Sequence, residues 1–287
     1  MLTIEKLTKS YGSNLALNAF SYSFDHGIYA LLGPNGSGKS TLMNIVTQNL
    51  RADSGRVLLD GEDIGKLGAD YRGRLGFMPQ YPGMYPSFSA LDFLRYMAVL
   101  KGIPKKQADI QIDELLRAVE LHEVRRHRIG SFSGGMKQRL ALAQSLLGNP
   151  EIVILDEPTA GLDPKQRISI RNYIAGIALN KTVIIATHVV SDVEFIAREV
   201  IMLKKGVISD SGSPYEMTRK IEGKVWQVTV TPEDVQAMQD THRVVNIQNG
   251  EQGVILRILA DEPPTPNALP VVPALEDAYL HIFGDIL

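Results

Sequence analysis

The chain has 287 residues, 30 basic and 32 acidic side chains, a formal net charge of −2 and no cysteine. Disulfides, thiol catalysis and cysteine-ligated zinc are therefore excluded, and no overall positive charge draws it to a nucleic-acid backbone. A content of 44% hydrophobic and 22% charged residues is that of a globular chain, and at roughly 150 residues per domain it makes one or two domains.

Residues 1–10 alternate in strand fashion and hold no apolar signal core. Residues 28–32 form an apolar run ending at glycine, and a helical pattern follows over 39–49. Residues 57–59, bounded by Ser54-Gly55 and Asp60-Gly61, read as hairpin material, and 75–78 as another strand. Between residues 90 and 147 apolar positions recur at helical spacing (Leu91, Leu94, Met97, Leu100, then Ile112, Leu115, Leu116, Val119), which predicts a helical insert. Strands at 152–155 and 182–186 then alternate with a helix after Pro164 and another near 192–198. Such βα alternation predicts parallel strands covered by helices.

Past residue 223 the texture changes. Residues 225–231, 244–247 and 254–259 are strand-like, 261–273 carry five prolines and read as a connector, and 275–287 read as a terminal amphipathic helix. A membrane span needs about 18 consecutive apolar residues, and no run approaches that. The expectation is a chain that neither crosses a membrane nor carries a secretory signal.

Two segments carry chemistry. Gly33-Pro34-Asn35-Gly36-Ser37-Gly38-Lys39-Ser40-Thr41 fits G-x-x-x-x-G-K-[ST] between an apolar strand and a helix. Glycines let successive N–H groups turn inward on phosphate oxygens, and the helix start adds partial positive charge. Lys39 is placed to reach the β- and γ-phosphates, Ser40 to supply an oxygen to Mg²⁺, and Thr41 to hold the α-phosphate. Asp156 and Glu157 end the strand at 152–155. Asp156 is placed to hold Mg²⁺. Glu157, expected on the opposite strand face, is placed to orient and polarise a water.

With these segments the sequence resembles the ATP-binding-cassette ATPases, the nucleotide-binding subunits of ABC transporters, over roughly residues 2–212. Tyr11 matches the aromatic that stacks on adenine, and Gln80, in Gly76-Phe77-Met78-Pro79-Gln80, the glutamine near Mg²⁺ and the attacking water. Ser133-Gly134-Gly135-Met136-Lys137-Gln138-Arg139 matches the signature motif, Ala160-Gly161-Leu162-Asp163 the D-loop, and His188 the switch histidine. Met136 departs from the family's usual glutamine, while the phosphate-binding Ser-Gly-Gly core is kept.

The resemblance implies an α/β P-loop NTPase of ABC type, with an antiparallel β subdomain and a helical subdomain at about 87–149, over residues 1–222. A small α+β accessory domain follows at 223–287, similar to extensions in the ABC-2-type exporter group. It implies ATP and Mg²⁺ as ligands. Glu157, His188 and Gln80 become catalytic, and Ser40, Gln80 and Asp156 metal-facing. Tyr11, the nine loop residues and Ser133, Gly134 and Gly135 bind nucleotide. ATP would lie between one copy's phosphate loop and the other's signature, in a homodimer or a heterodimer with a second ATPase subunit. The implied function is the ATP-hydrolysing subunit of a transporter, on the exporter pattern, powering a separate transmembrane permease from the cytoplasmic face of the membrane. Residues 81–86 form either the groove for that permease or a loop packed on the core. A soluble ABC ATPase acting on ribosomes or DNA is the alternative, but tandem cassettes, long coiled-coil inserts and basic tracts are missing. A small-molecule kinase leaves Ser133 to Gly135 and His188 unexplained.

Overall fold

The computed structural model describes residues 1–284. In chain order the elements are β1 (Leu2–Tyr11), β2 (Asn14–Phe24), β3 (Gly27–Leu32), α1 (Lys39–Val46), β4 (Ser54–Leu59), β5 (Glu62–Asp63), α2 (Ile64–Leu67), α3 (Ala69–Gly73) and β6 (Leu75–Met78). Next come α4 (Ala90–Leu100), α5 (Lys105–Ala118), α6 (Gly134–Leu146), β7 (Ile152–Asp156), α7 (Pro164–Ile177), β8 (Thr182–Ala186), α8 (Val190–Val193), β9 (Glu199–Lys204) and β10 (Val207–Gly212). The rest are α9 (Pro214–Arg219), β11 (Val225–Val230), α10 (Val235–Thr241), β12 (Arg243–Gly250), β13 (Gly253–Leu259), β14 (Leu269–Pro270) and α11 (Leu275–Phe283).

The chain divides into two compact units, Met1–Ile208 and Ser209–Leu287. The sequence reading set the border later, between 222 and 223.

In the first unit, one sheet has the order β2-β1-β4-β5 and is antiparallel throughout. The hairpin expected at 57–59 is β4–β5, turned on Asp60 and Gly61, both at positive φ. A six-stranded sheet has the order β10-β9-β3-β8-β7-β6. Its pairs β3–β8, β3–β9, β7–β8 and β6–β7 are parallel. Residues 152–155 and all of β8 are buried, as short apolar runs covered on both faces should be. The core joins the two sheets through Leu2, Leu7, Leu17, Phe20 and Phe24 on one side, Leu31, Ile154 and Ile184 on the other, and Leu42, Met43 and Val46 of α1.

The helical insert is α4, α5 and α6. Ser89 caps α4 by accepting the Asp92 N–H, and Ser133 caps α6 by accepting the Met136 N–H.

Three expected elements change. The helix after the phosphate loop stops at Val46 rather than near 49, because Gln48 takes a left-handed φ of 61°. The helix expected near 192–198 is only α8, because the Arg198 N–H bonds the Ile28 carbonyl of the sheet at 2.8 Å instead of the preceding turn. The proline-rich connector contains β14, paired to β11 at Trp226–Pro270 and Gln227–Leu269. An edge position tolerates the missing proline donor.

The second unit holds an antiparallel sheet of order β12-β13-β11-β14. Its core is Val228, Val254, Leu256 and Ile258, with Val235 and Met238 of α10 packed against it. Arg257 and the buried Asp277 of α11 form a two-pronged pair at 2.8 and 2.6 Å. The terminal helix expected over 275–287 spans Leu275–Phe283, and residues 285–287 lie outside the described residues.

Candidate active site

The order of the parallel sheet builds the site. The loops after β3, β8, β7 and β6 leave side by side at one strand edge, in register through Leu31–Ala186, Ala186–Asp156 and Leu155–Met78. They carry the phosphate loop, His188, the acid pair and Gln80. The carboxyl edge of a parallel sheet is where α/β folds bind ligands.

The phosphate loop is shaped by glycine. At Gly33 (φ +155°) a Cβ would stand 2.3 Å from the Leu203 carbonyl oxygen, and at Gly38 (φ +110°) 2.5 Å from that of Ala16. Any larger residue would push the loop off its neighbours. Asn35 and Gly36 form the exposed tip, and Ser37 is buried with its carbonyl accepting the Gly206 N–H at 2.9 Å. No side chain caps α1, whose first turn begins with Lys39, Ser40 and Thr41. Those first N–H groups have no carbonyl one turn back within the helix, so they suit an anion.

Lys39 Nζ lies over the loop, donating to the Gly33 and Pro34 carbonyls at 2.5 and 3.1 Å. Burial pushes its pKa down, while Glu157 and Asp156 hold it up. Asp156 is pushed up to about 6, first by burial and then by the charge of Glu157, with Lys39 opposing. Two acids to one lysine in a half-buried cluster favour a further cation. A hydroxyl and carboxylates are hard oxygen donors of the kind Mg²⁺ takes, so Ser40 and Asp156 fit that ion.

Glu157 corrects the expectation of strand alternation. The strand ends at Asp156, and Glu157 turns into the left-handed region at φ 52°. Its N–H bonds the Ala186 carbonyl at 2.8 Å. Its carboxylate, 10% exposed, accepts from Thr187 Oγ1 and the His188 N–H, each at 3.0 Å, and lies 2.7 Å from His188 Nδ1. The His188 ring itself is 72% exposed.

The remaining candidates come from other elements. Gln80 follows β6 by two residues and is exposed. Tyr11 ends β1 in the antiparallel sheet, half exposed, with Lys9 Nζ 5.9 Å from its ring centre. Ser133 and Gly134 are exposed at the start of α6, and Gly135 is buried against Gly161 and Leu162.

Sequence reasoning assigned no role to Thr187 or Gln138. Thr187 is buried, and its hydroxyl donates to Glu157 while accepting the Val189 N–H. Gln138 donates from its amide to the Glu157 main-chain oxygen at 2.6 Å. Neither contact has a spacing signal, because each joins segments far apart in the chain.

The match to the family model described as ABC transporter covers residues 17–160. The chain belongs to the ABC transporter family. The cassette is a P-loop ATPase. It is 38% identical over 231 residues to the uncharacterized ABC transporter ATP-binding protein YxlF of Bacillus subtilis (strain 168), covering 80% of this chain and 77% of that one. It is 32% identical over 256 residues to the bacitracin transport ATP-binding protein BcrA of Bacillus licheniformis, covering 88% and 82%. Among solved structures it is similar to the ATP-binding cassette MJ0796, a dimer in a post-hydrolysis state bound to ADP and Pi. The TM-score is 0.68 at 27% identity, covering 74% of this chain and 98% of that one.

Proposed function

We propose that this cassette is the energising subunit of an export-type transporter, paired head to tail with a second copy and docked beneath a separate permease. The observation that carries the reading is the shared strand edge, where Lys39, Asp156, Glu157 and His188 meet within one electrostatic cluster. Each candidate has a task there. Tyr11 stacks on adenine. Residues 33–41 wrap the phosphates, with Lys39 on the β- and γ-phosphates. Ser40, Asp156 and Gln80 hold Mg²⁺, which when bound neutralises phosphate charge. Glu157 takes the proton of the attacking water as its oxygen joins the γ-phosphorus. The bond to ADP breaks, and His188 steadies the departing charge.

Ser133 and Gly134 stand exposed at the first turn of a 13-residue helix. That supports a role facing outward, onto the γ-phosphate held by a second copy. ATP then acts as the joint between copies, and its hydrolysis releases them.

Three features support a permease at the helical insert. No helix among the described residues is long and apolar enough to cross a membrane. A groove of about 430 Å³ lies between the loop after β6 and α4, lined by Phe77, Pro82, Tyr85, Tyr96, Met97 and Lys101. Tyr81 is 84% exposed and Tyr85 49% exposed, so this loop stands outward rather than in the core. The likeness to a bacitracin transport protein favours export. The net charge of −2 gives no reason to invoke nucleic acid. Residues 223–287 are an accessory domain on this reading, and the site is the cytoplasmic face of the membrane.

Two experiments test it. Glu157→Gln with ATP runs at the mass of a pair in size-exclusion chromatography, while the unaltered protein hydrolyses ATP and separates. Purification in detergent brings down a multi-spanning membrane protein. Recovery on ribosomes or DNA, with no membrane partner, would overturn the reading.

A further inference from the structure

Helix α6 is fastened twice to the segment that follows the carboxylate strand. At its first turn a Cβ on Gly135 would meet Gln166 Oε1 and Leu162 Cδ2 at 3.2 Å and the Gly161 carbonyl at 3.3 Å. Nearly one turn on, the amide of Gln138, only 7% exposed, donates to the Glu157 carbonyl at 2.6 Å. The Ala160 N–H shares that acceptor at 3.2 Å. Arg139 anchors the same helix by donating to the Val119 carbonyl at 2.9 Å and the Glu120 carbonyl at 3.2 Å.

Glu157 needs such holding. A left-handed φ is unfavourable for a non-glycine residue, so its backbone stays there only while its neighbours fix it. Three contacts on its main chain do so, the N–H on Ala186 and the carbonyl under both Gln138, at 2.6 Å, and the Ala160 N–H, at 3.2 Å. A hydrogen bond in a buried setting is stronger than one in water. The Gln138 bond thus weighs on which backbone state Glu157 occupies, and hence on where its carboxylate points.

We infer that Gln138 is a positioning residue for Glu157 of its own chain, tying that carboxylate to the helix whose first turn meets the other copy's nucleotide. The inference rests on the paired reading above. Ser133 and Gln138 lie five residues apart, about 7.5 Å along one helix, and the helix is buried along most of its length. A shift of its first turn is therefore carried to Gln138 with little bending. Seating of nucleotide on the Ser133 turn acts on the Glu157 of the same chain, which serves the other of the two sites. The two sites communicate through one side chain.

This makes an unusual demand on genetics. A residue of the signature surface acts on the nucleotide of the opposite copy. Gln138, five residues past Ser133 on the same helix, must act on its own chain. Two differently tagged full-length chains are paired so that one carries Glu157→Gln and the other keeps Glu157, leaving one source of turnover. Gln138→Met keeps side-chain length and removes the donor. On the chain that keeps Glu157, it lowers turnover about tenfold, with ATP affinity held within about twofold. On the Glu157→Gln chain it leaves turnover within about twofold of the control.

Loss only when Gln138→Met sits on the Glu157→Gln chain assigns Gln138 to the signature surface and overturns the inference. No loss in either arm, or equal loss in both with a lowered melting temperature, overturns it as well. The pairing step separates this failure from failure of the paired reading. If ATP does not join Glu157→Gln chains at all, that reading falls before Gln138 is altered.

Discussion

In the first unit Lys39 faces two acids, Asp156 and Glu157, at one strand edge. In the second unit Arg257 faces one, Asp277, across two short hydrogen bonds. The second arrangement is closed. Asp277 also accepts the Ala274 N–H at 2.7 Å, and Arg257 also donates to the Val272 carbonyl at 2.8 Å. The first is open, with Asp156 pushed up to about 6 by burial and by its acidic neighbour. A closed pair fixes a helix to a sheet, whereas a cluster with surplus negative charge has affinity left for a cation. Two ionic groupings in one chain thus divide into one with charge left over and one that is spent on architecture.

The largest effect expected is at the open cluster. His188→Ala lowers kcat about 100- to 1000-fold with KM for ATP nearly unchanged, as the proposed role of steadying charge that develops during reaction requires. Steady-state kinetics reading a loss below about threefold would remove His188 from the chemical step.

The closed pair answers differently. Asp277→Ala leaves Arg257 without its partner and destabilises the second unit by about 3 kcal/mol. Trp226, the single tryptophan, lies on β11 and reports that unit's urea transition by fluorescence. Turnover at low temperature stays at the level of the unaltered protein. A turnover loss with an unmoved transition would erase the contrast between the two groupings.

Tyr11→Ala tests whether the antiparallel sheet contributes binding without chemistry. Stacking on a base is worth about 1–3 kcal/mol, so KM rises about tenfold and kcat holds, while Tyr11→Phe is neutral.

Lys101 gives the smallest effect and concerns architecture inside the first unit. Its amine donates to the Leu147 carbonyl at 2.7 Å, and burial pushes its pKa down to about 8 from 10.5. Between those values the unfolded chain binds more protons than the folded one, so stability rises with pH. Below about pH 8 both states are protonated and the difference is flat. From pH 8 to 9 the unaltered protein gains at most about 1.4 kcal/mol over Lys101→Met in urea unfolding. A gain with the opposite slope would show the amine to be favoured by its burial site.

Much of the cassette is written locally. The loop of residues 33–41 is legible because only glycine fits its tight approaches. The strands β3, β7 and β8 are legible because short apolar runs between breakers have few other uses. β2 is not legible, since its pairing with β1 slips register between Ile4 and Leu7, Leu7 and Lys9, and Lys9 and Ser10. Positive φ at Lys6 and Ala19 breaks the two-residue period further. α8 is short because a distant carbonyl, Ile28, takes the Arg198 N–H, which no local pattern can announce.

By itself, then, the sequence determined the family, the order of motifs and the residue types able to cradle phosphate, because those depend on spacing within a few residues. Tertiary structure decided what those residues do to one another. The strand order set β8 between β3 and β7, which brings His188 onto Glu157. It turned Glu157 out of strand geometry, closed Thr187 around its carboxylate and put Gln138 under its carbonyl. Burial raised Asp156 and lowered Lys39. These are effects of distance and dielectric between segments remote in the chain, and only folding creates either.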